Sequence, residues 1–137
     1  MEKTFTILKP DTVKAGNAGA IISRLEKEGF RIRAMKMLHL SQSEAEGFYY
    51  VHKERPVFGS LVNFMTEGPI VPMVLEADNA IDKLRKVMGA TDPAKADAGT
   101  IRKQFASNIE RNAIHGSDGP ETAAFEISYF FNRLEIV

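Results

Sequence analysis

The chain contains no cysteine. That absence excludes a disulfide framework, a zinc–thiolate site and a thiol nucleophile, and it suits a reducing compartment. Also missing is any run of the ~18–20 apolar residues that a membrane span requires. The first residues, MEKTFTILKPDTV, lack the basic and apolar regions of a signal peptide. Neither sign of charge prevails: 18 basic residues balance 18 acidic ones. No global field therefore draws the molecule to nucleic acid or membrane, and any anion site must be local. There is no repeat, low-complexity tract or Pro/Ser-rich linker. The expectation is one cytoplasmic domain spanning residues 1–137.

What is present reads as alternating short strands and helices. KTFTILK (3–9) is a strand ended by Pro10, and AGAIISRLEKEG (18–29) has apolar residues at helical spacing before Gly29. FRIRAMKMLHL (30–40) alternates like a half-buried strand, with one slip near 34–35. Ser41 and Glu44 form a capping box for a helix through SEAEGFYYVHKE, and Pro56 opens another that runs through Phe64. IVPMVLEA (70–77) is a buried strand with Pro72 an awkward member, and NAIDKLRKVMG (79–89) a short helix. Residues 90–104 show no periodicity, AIHGS is a brief strand, and Asp118 with Glu121 caps a last helix containing Pro120. The methionines at 35, 37, 65, 73 and 88 read as core or interface filler. Reduced to essentials the order is βαββαβ with extra helices, an α+β ferredoxin-like fold with a four-stranded antiparallel sheet.

Chemistry concentrates around RNAIHGSDGPE, which holds one of only three histidines. His115 precedes a small-residue turn and a helix start, where backbone N–H groups and the helix dipole favour an anion. A histidine aimed there is a phosphate ligand or a phosphate acceptor. His39, on a strand, and His52, on a surface-like helix, stand at no ligand spacing with it, so a metal centre is rejected. Glu126 interrupts an apolar helix, a costly place for an unpaired carboxylate, and an imidazole N–H is one candidate partner. Lys9 ends the first strand, Arg85 lies in a short helix, and Arg102 closes the aperiodic stretch.

The segments TFTILKPD, GSLVNFMTEGPIVPMVLE, GATDPAKADAGTIRKQFA and RNAIHGSDGPE, taken in order, resemble the nucleoside diphosphate kinase family over nearly the whole chain. The resemblance implies transfer of a γ-phosphoryl group, mainly from ATP, to a nucleoside diphosphate through a phosphohistidine at His115, with ping-pong kinetics and broad base and sugar specificity. It implies that Glu126 and Ser117 hold the imidazole and that Tyr49 buttresses it. Lys9 and Asn112 would meet the sugar hydroxyl and γ-phosphate, and Arg85, Thr91 and Arg102 the phosphates. Val57, Leu61 and Ile109 would contact the base. Mg²⁺ would arrive on the nucleotide, with no protein metal ligand, and the partners would be nucleoside tri- and diphosphates rather than nucleic acid or membrane.

One departure stands out. The family usually places an aromatic residue after the proline, and here ERPVFGS puts Val57 there, with Phe58 turned toward the core. The expectation is weaker nucleotide binding, expressed in KM more than in chemistry. Asp92 and Ala98 also depart from the family's habit and bear on loop rigidity and assembly. An RNA-binding ferredoxin-like module would need aromatic residues on its central strands in a pattern that is absent. The family forms homo-oligomers, and the short stretch after the last helix favours a tetramer over a hexamer.

Overall fold

The computed structural model describes residues 1–137 in full. Four strands, β1 (Glu2–Leu8), β2 (Arg31–Met35), β3 (Val71–Ala77) and β4 (Ile114–Gly116), form one antiparallel sheet in the order β2-β3-β1-β4. Seven helices accompany them: α1 (Pro10–Lys14), α2 (Ala18–Lys27), α3 (Gln42–Phe48), α4 (Phe58–Met65), α5 (Ala80–Met88), α6 (Ile101–Phe105) and α7 (Pro120–Phe130). The α+β ferredoxin-like expectation holds. No helix is long and apolar enough to cross a membrane.

Period-two alternation divides the core between the two faces of the sheet. Phe5, Ile7 and Val74 face α3, α4 and α7, where Phe48, Phe64, Met65 and Phe130 pack against them. Leu8, Met73 and Leu75 face α2, α5 and α6, meeting Ile21, Leu25, Leu84, Met88 and Ile101. The methionines therefore split. Met65, Met73 and Met88 are core, whereas Met35 and Met37 lie exposed along the β2 edge.

Several boundaries differ from the sequence expectation, each for a local reason. The slip in β2 falls between Ile32 and Ala34, and the strand ends at Met35, leaving only the Leu38–Ile70 bridge beyond it. That early end accommodates Pro72 in a central strand. The Pro72 carbonyl accepts from Lys36 N–H on the β2 side (3.2 Å), so the donor it lacks would point at the end of that ladder. The Ser41–Glu44 box forms, with Ser41 N–H donating to Glu44 at 2.8 Å. The helix it opens stops at Phe48, however, and a single 3₁₀ turn (Tyr50–His52) follows. Pro56 opens no helix; α4 begins at Phe58 after Val57. The aperiodic stretch 90–104 is ordered, by a 3₁₀ turn at Pro93–Lys95 and by α6, whose cap is the Thr100 hydroxyl. Both pieces are too short to display a period.

Gly89 has a left-handed φ of 88°, and a Cβ there would sit 2.5 Å from the Thr100 hydroxyl. That close approach binds the end of α5 to the start of α6.

Candidate functional site

His115 is the middle residue of β4, paired with Ile7 of the adjacent central strand. Alternation sends its neighbours Ile114 and Gly116 toward α5 and sends the imidazole toward α3 and α7. Gly116 must be small, because a Cβ would lie 2.6 Å from the Met88 sulfur. The rings of Phe5 and Phe48 meet the imidazole edge-on at 6.2 and 5.7 Å between centroids, fixing its plane.

Glu126, on α7, takes the imidazole Nε2 at 2.8 Å, and Ser117 Oγ donates to the same carboxylate oxygen at 2.6 Å. An ionised carboxylate only accepts, so Nε2 carries a proton, and in the neutral ring the lone pair lies on Nδ1. The ring makes its one hydrogen bond through Nε2. The pair is mostly enclosed, with side-chain exposures of 20% for His115 and 13% for Glu126. The expected Asp118–Glu121 box at the start of α7 is absent. Pro120 begins that helix, and Thr122 Oγ1 instead accepts from Gly119 N–H at 2.9 Å. Asp118 is thereby released to pair with Arg85 at 3.0 Å.

Two cations bonded to the segment that leads into β4 have no acid partner. Lys9 is 6% exposed, and its Nζ donates to Asn112 Oδ1 at 2.8 Å. Burial, and secondarily the charge of Arg102, brings the Lys9 amine down to about 8. Arg102, 5% exposed, spreads its guanidinium over three backbone carbonyls: Ile114 at 2.7 Å, Gly89 at 3.2 Å and Asn112 at 3.3 Å. Burial and the neighbouring Arg85 bring it down to about 10. Two buried cations without a counterion cost stability unless an anion joins them.

Asn112 is pinned at both ends, accepting from Lys9 and donating from Nδ2 to the Ile109 carbonyl at 3.0 Å. The next residue, Ala113, is left-handed at φ 72° and fully buried. Its N–H donates to Asp11 (3.0 Å), and its carbonyl accepts from Lys9 N–H (2.9 Å) and the Thr12 hydroxyl (2.8 Å). Such backbone persists only where its surroundings over-determine it. Here the β1–α1 corner does so.

The remaining expected residues are placed less tightly. Tyr49 is buried, and its hydroxyl has no partner in the protein. Burial and then Glu126 push that phenol well above its usual range. Thr91 is exposed on the segment after α5. Val57 and Ile109 are exposed, at 58% and 61%, and Leu61 is half-buried against the core. The segments bearing Val57 and Ile109 are tied by Ser60 Oγ, which donates to Glu110 at 2.9 Å.

One residue was misplaced by sequence reasoning. His52 is no bystander on a surface helix; it lines a cavity of about 250 Å³ with Tyr49, His115, Asp118, Glu121 and Glu126. Its spacing of three from Tyr49, across one turn, was the available signal. His39 lies elsewhere, bonded to the Thr66 carbonyl at 2.6 Å.

An imidazole presented by a rigid strand, held by a carboxylate and flanked by cations lacking counterions, defines a phosphoryl-transfer enzyme on a ferredoxin-like frame. A family model described as nucleoside diphosphate kinase matches residues 2–136. The nucleoside diphosphate kinases of Trichlorobacter lovleyi and Geobacter sulfurreducens are 59% and 58% identical over 137 residues, covering all of this chain and 99% and 100% of theirs. The crystal structure of the Aquifex aeolicus enzyme superposes with a TM-score of 0.97 at 46% identity, covering 99% of both chains. That of the Halobacterium salinarum enzyme in complex with CDP gives 0.95 at 38% identity, covering 99% of this chain and 91% of the other. The chain belongs to the nucleoside diphosphate kinase family. It is a phosphotransferase that acts on nucleotides, in a family whose members generally use a divalent metal.

Proposed function

We infer that the γ-phosphoryl group passes from a nucleoside triphosphate, chiefly ATP, to a nucleoside diphosphate by way of His115 Nδ1, in two half-reactions at one pocket. The observation that carries this reading is the Nε2–Glu126–Ser117 arrangement, which selects the tautomer of the neutral ring whose lone pair is on Nδ1 and faces that nitrogen away from its holder. In each half-reaction Nδ1 attacks, or is released from, phosphorus in line with the leaving oxygen. Glu126 stabilises the proton on Nε2 as charge moves off the ring. Lys9, Arg85, Arg102 and Thr91 receive the phosphates, the arginines through planar forks. Asn112 retains a lone pair on Oδ1 and a hydrogen on Nδ2 for the sugar hydroxyl.

Mg²⁺ fits this site only as a passenger. No group of three or more His, Asp or Glu side chains could hold a metal, so the ion would be bound by nucleotide phosphates, where it neutralises their charge. The base enters between Val57 and Ile109, a slot that reads no base edge and so accepts many nucleotides. The assembly is a homotetramer, a reading supported by the open β2 edge with its exposed Met35 and Met37; light scattering at the mass of four chains tests it.

The test of the chemistry is incubation with γ-labelled ATP and Mg²⁺. Acid-labile, base-stable label on the protein, absent from His115→Asn, is the expected result. No label on the unaltered protein removes the reading.

Lys9 gives the site a pH dependence. Its amine carries charge below about pH 8 and loses it above. Triphosphate affinity, measured by calorimetry, should therefore fall as pH rises from 7 to 9, and Lys9→Gln should flatten that profile. For folding the sign is opposite. The folded amine titrates lower than the ordinary lysine value of 10.5, so between the two values the unfolded chain binds more protons and stability rises with pH.

Val57→Phe should tighten nucleotide binding by roughly three- to tenfold, part of the ~1–3 kcal/mol of an aromatic–base stack. KM should drop while kcat stays put. An unchanged dissociation constant would show that the base does not rest on this position.

A further inference from the structure

Val57 and Ile109, the walls assigned to the base slot, are large apolar side chains held in water. Residues 53–57, which lead into α4, are all exposed, so no core contact fixes the Val57 wall before Phe58. The Ile109 wall is a closed turn. Asn108 Oδ1 accepts from the N–H groups of Glu110 (3.0 Å) and Arg111 (2.8 Å). The Arg111 carbonyl in turn accepts from the N–H groups of Ser107 (2.9 Å) and Asn108 (3.3 Å).

Consecutive residues of that turn hold α4 at its two ends. Arg111 donates from both Nη atoms to Glu67, just past the helix, at 3.1 and 2.6 Å, and its guanidinium lies 4.8 Å above the Phe64 ring. Glu110 accepts from Ser60 Oγ, in the first turn, at 2.9 Å. No other side-chain hydrogen bond joins residues 53–61 to the turn. The same hydroxyl lies 3.3 Å from the Val57 carbonyl, so this tie reaches the backbone of the wall itself. The two ties are unequal. The one at Glu67 is bidentate, pairs two charges and is backed by a ring face, whereas the one at Ser60 is a single bond between exposed groups.

We propose that Ser60 and Glu110 are positioning residues for the nucleotide base, their hydrogen bond setting the spacing between Val57 and Ile109 before the base arrives. This rests on the base-slot reading above. Two aliphatic walls offer a base less than a stacked ring does, so their worth depends on standing ready at the right separation. Walls that had to be ordered on binding would subtract that cost from affinity.

The experiment is calorimetry of a nucleoside diphosphate and of inorganic tripolyphosphate on the unaltered protein, Ser60→Ala, Glu110→Ala and Glu110→Gln. Glu110 also helps to hold the proton on Lys9, so the comparison is made at about pH 6, where that amine is charged in every variant. The diphosphate should bind about three- to tenfold more weakly to either alanine variant, the worth of one hydrogen bond. The double alanine variant should be no weaker than the singles, because one bond is lost only once. Tripolyphosphate should bind all of them alike, and Glu110→Gln, which retains an acceptor, should recover most of the affinity. In turnover KM should rise by the same factor while kcat stays within about twofold. Equal weakening of tripolyphosphate, or a Glu110→Gln variant as weak as Glu110→Ala, overturns the proposal. Unchanged diphosphate affinity in both alanine variants, with Val57→Phe still tightening it, overturns the clasp and leaves the base slot standing. No response from Val57→Phe or from either alanine variant overturns both.

Discussion

Replacing His115 with asparagine should lower kcat by a factor on the order of 10⁴–10⁶, as loss of a nucleophile does elsewhere. Folding should be nearly untouched, because Ser117 continues to donate to Glu126 at 2.6 Å and the carboxylate is not left bare. Tm should therefore move by less than about 3 °C, the equivalent of under 1 kcal/mol in a domain of this size. Nucleotide affinity should shift little, since the imidazole contributes a lone pair to the reaction rather than a charge to the ground state. A variant retaining more than a hundredth of the activity would show that the phosphoryl group takes another route. Glu126→Gln makes the complementary case. It retains an acceptor for Nε2 but not the negative charge, so kcat should fall while the fold survives.

Arg102→Met should lower kcat/KM by about 10³-fold, the lower end of what a single arginine contributes to phosphoryl transfer. Two opposed terms govern its stability. Removing the guanidinium leaves the carbonyls of Gly89, Asn112 and Ile114 short of a donor, at ~1–3 kcal/mol for each that finds no substitute. It also removes a buried charge whose depressed value reports a desolvation cost of the same order. Much of the loss is offset, and Tm should fall by no more than about 10 °C. Arg102→Lys should not rescue activity, because an ammonium cannot serve three carbonyls and a phosphate in one plane. Nucleotide should raise the Tm of the unaltered protein far more than that of Arg102→Met. Equal shifts would place the phosphates away from this residue.

Both variants touch residues that the sequence made visible to different degrees. His115 and Glu126 were legible because each breaks a local rule: a histidine before a helix start, a carboxylate in an apolar stripe. The strands and the βαββαβ order were legible from periodicity. Elements of three to five residues, such as the turn at Pro93–Lys95 and α6, carry too little beyond one period for a repeat to show and could not be read this way. The displaced start of α7 has a different cause. Asp118 satisfies the capping pattern in sequence, but in space Arg85 offers it a charged partner, and Gly119 with Thr122 takes over the cap. His52 was hidden because the helix expected through it ends at Phe48, and the tighter 3₁₀ turn redirects its ring to the histidine cavity.

The doubly pinned Asn112 has a mechanical consequence. Its amide joins the carbonyl of Ile109, at the mouth, to the ammonium of Lys9, in the depth. Left-handed Ala113 behind it is clamped on both sides and cannot absorb a displacement. On the proposed pose the amide would be a short, stiff lever between the two ends of the nucleotide. Seating the base and seating the terminal phosphate would then become one event, and a bare triphosphate would forfeit more than the area of the missing ring.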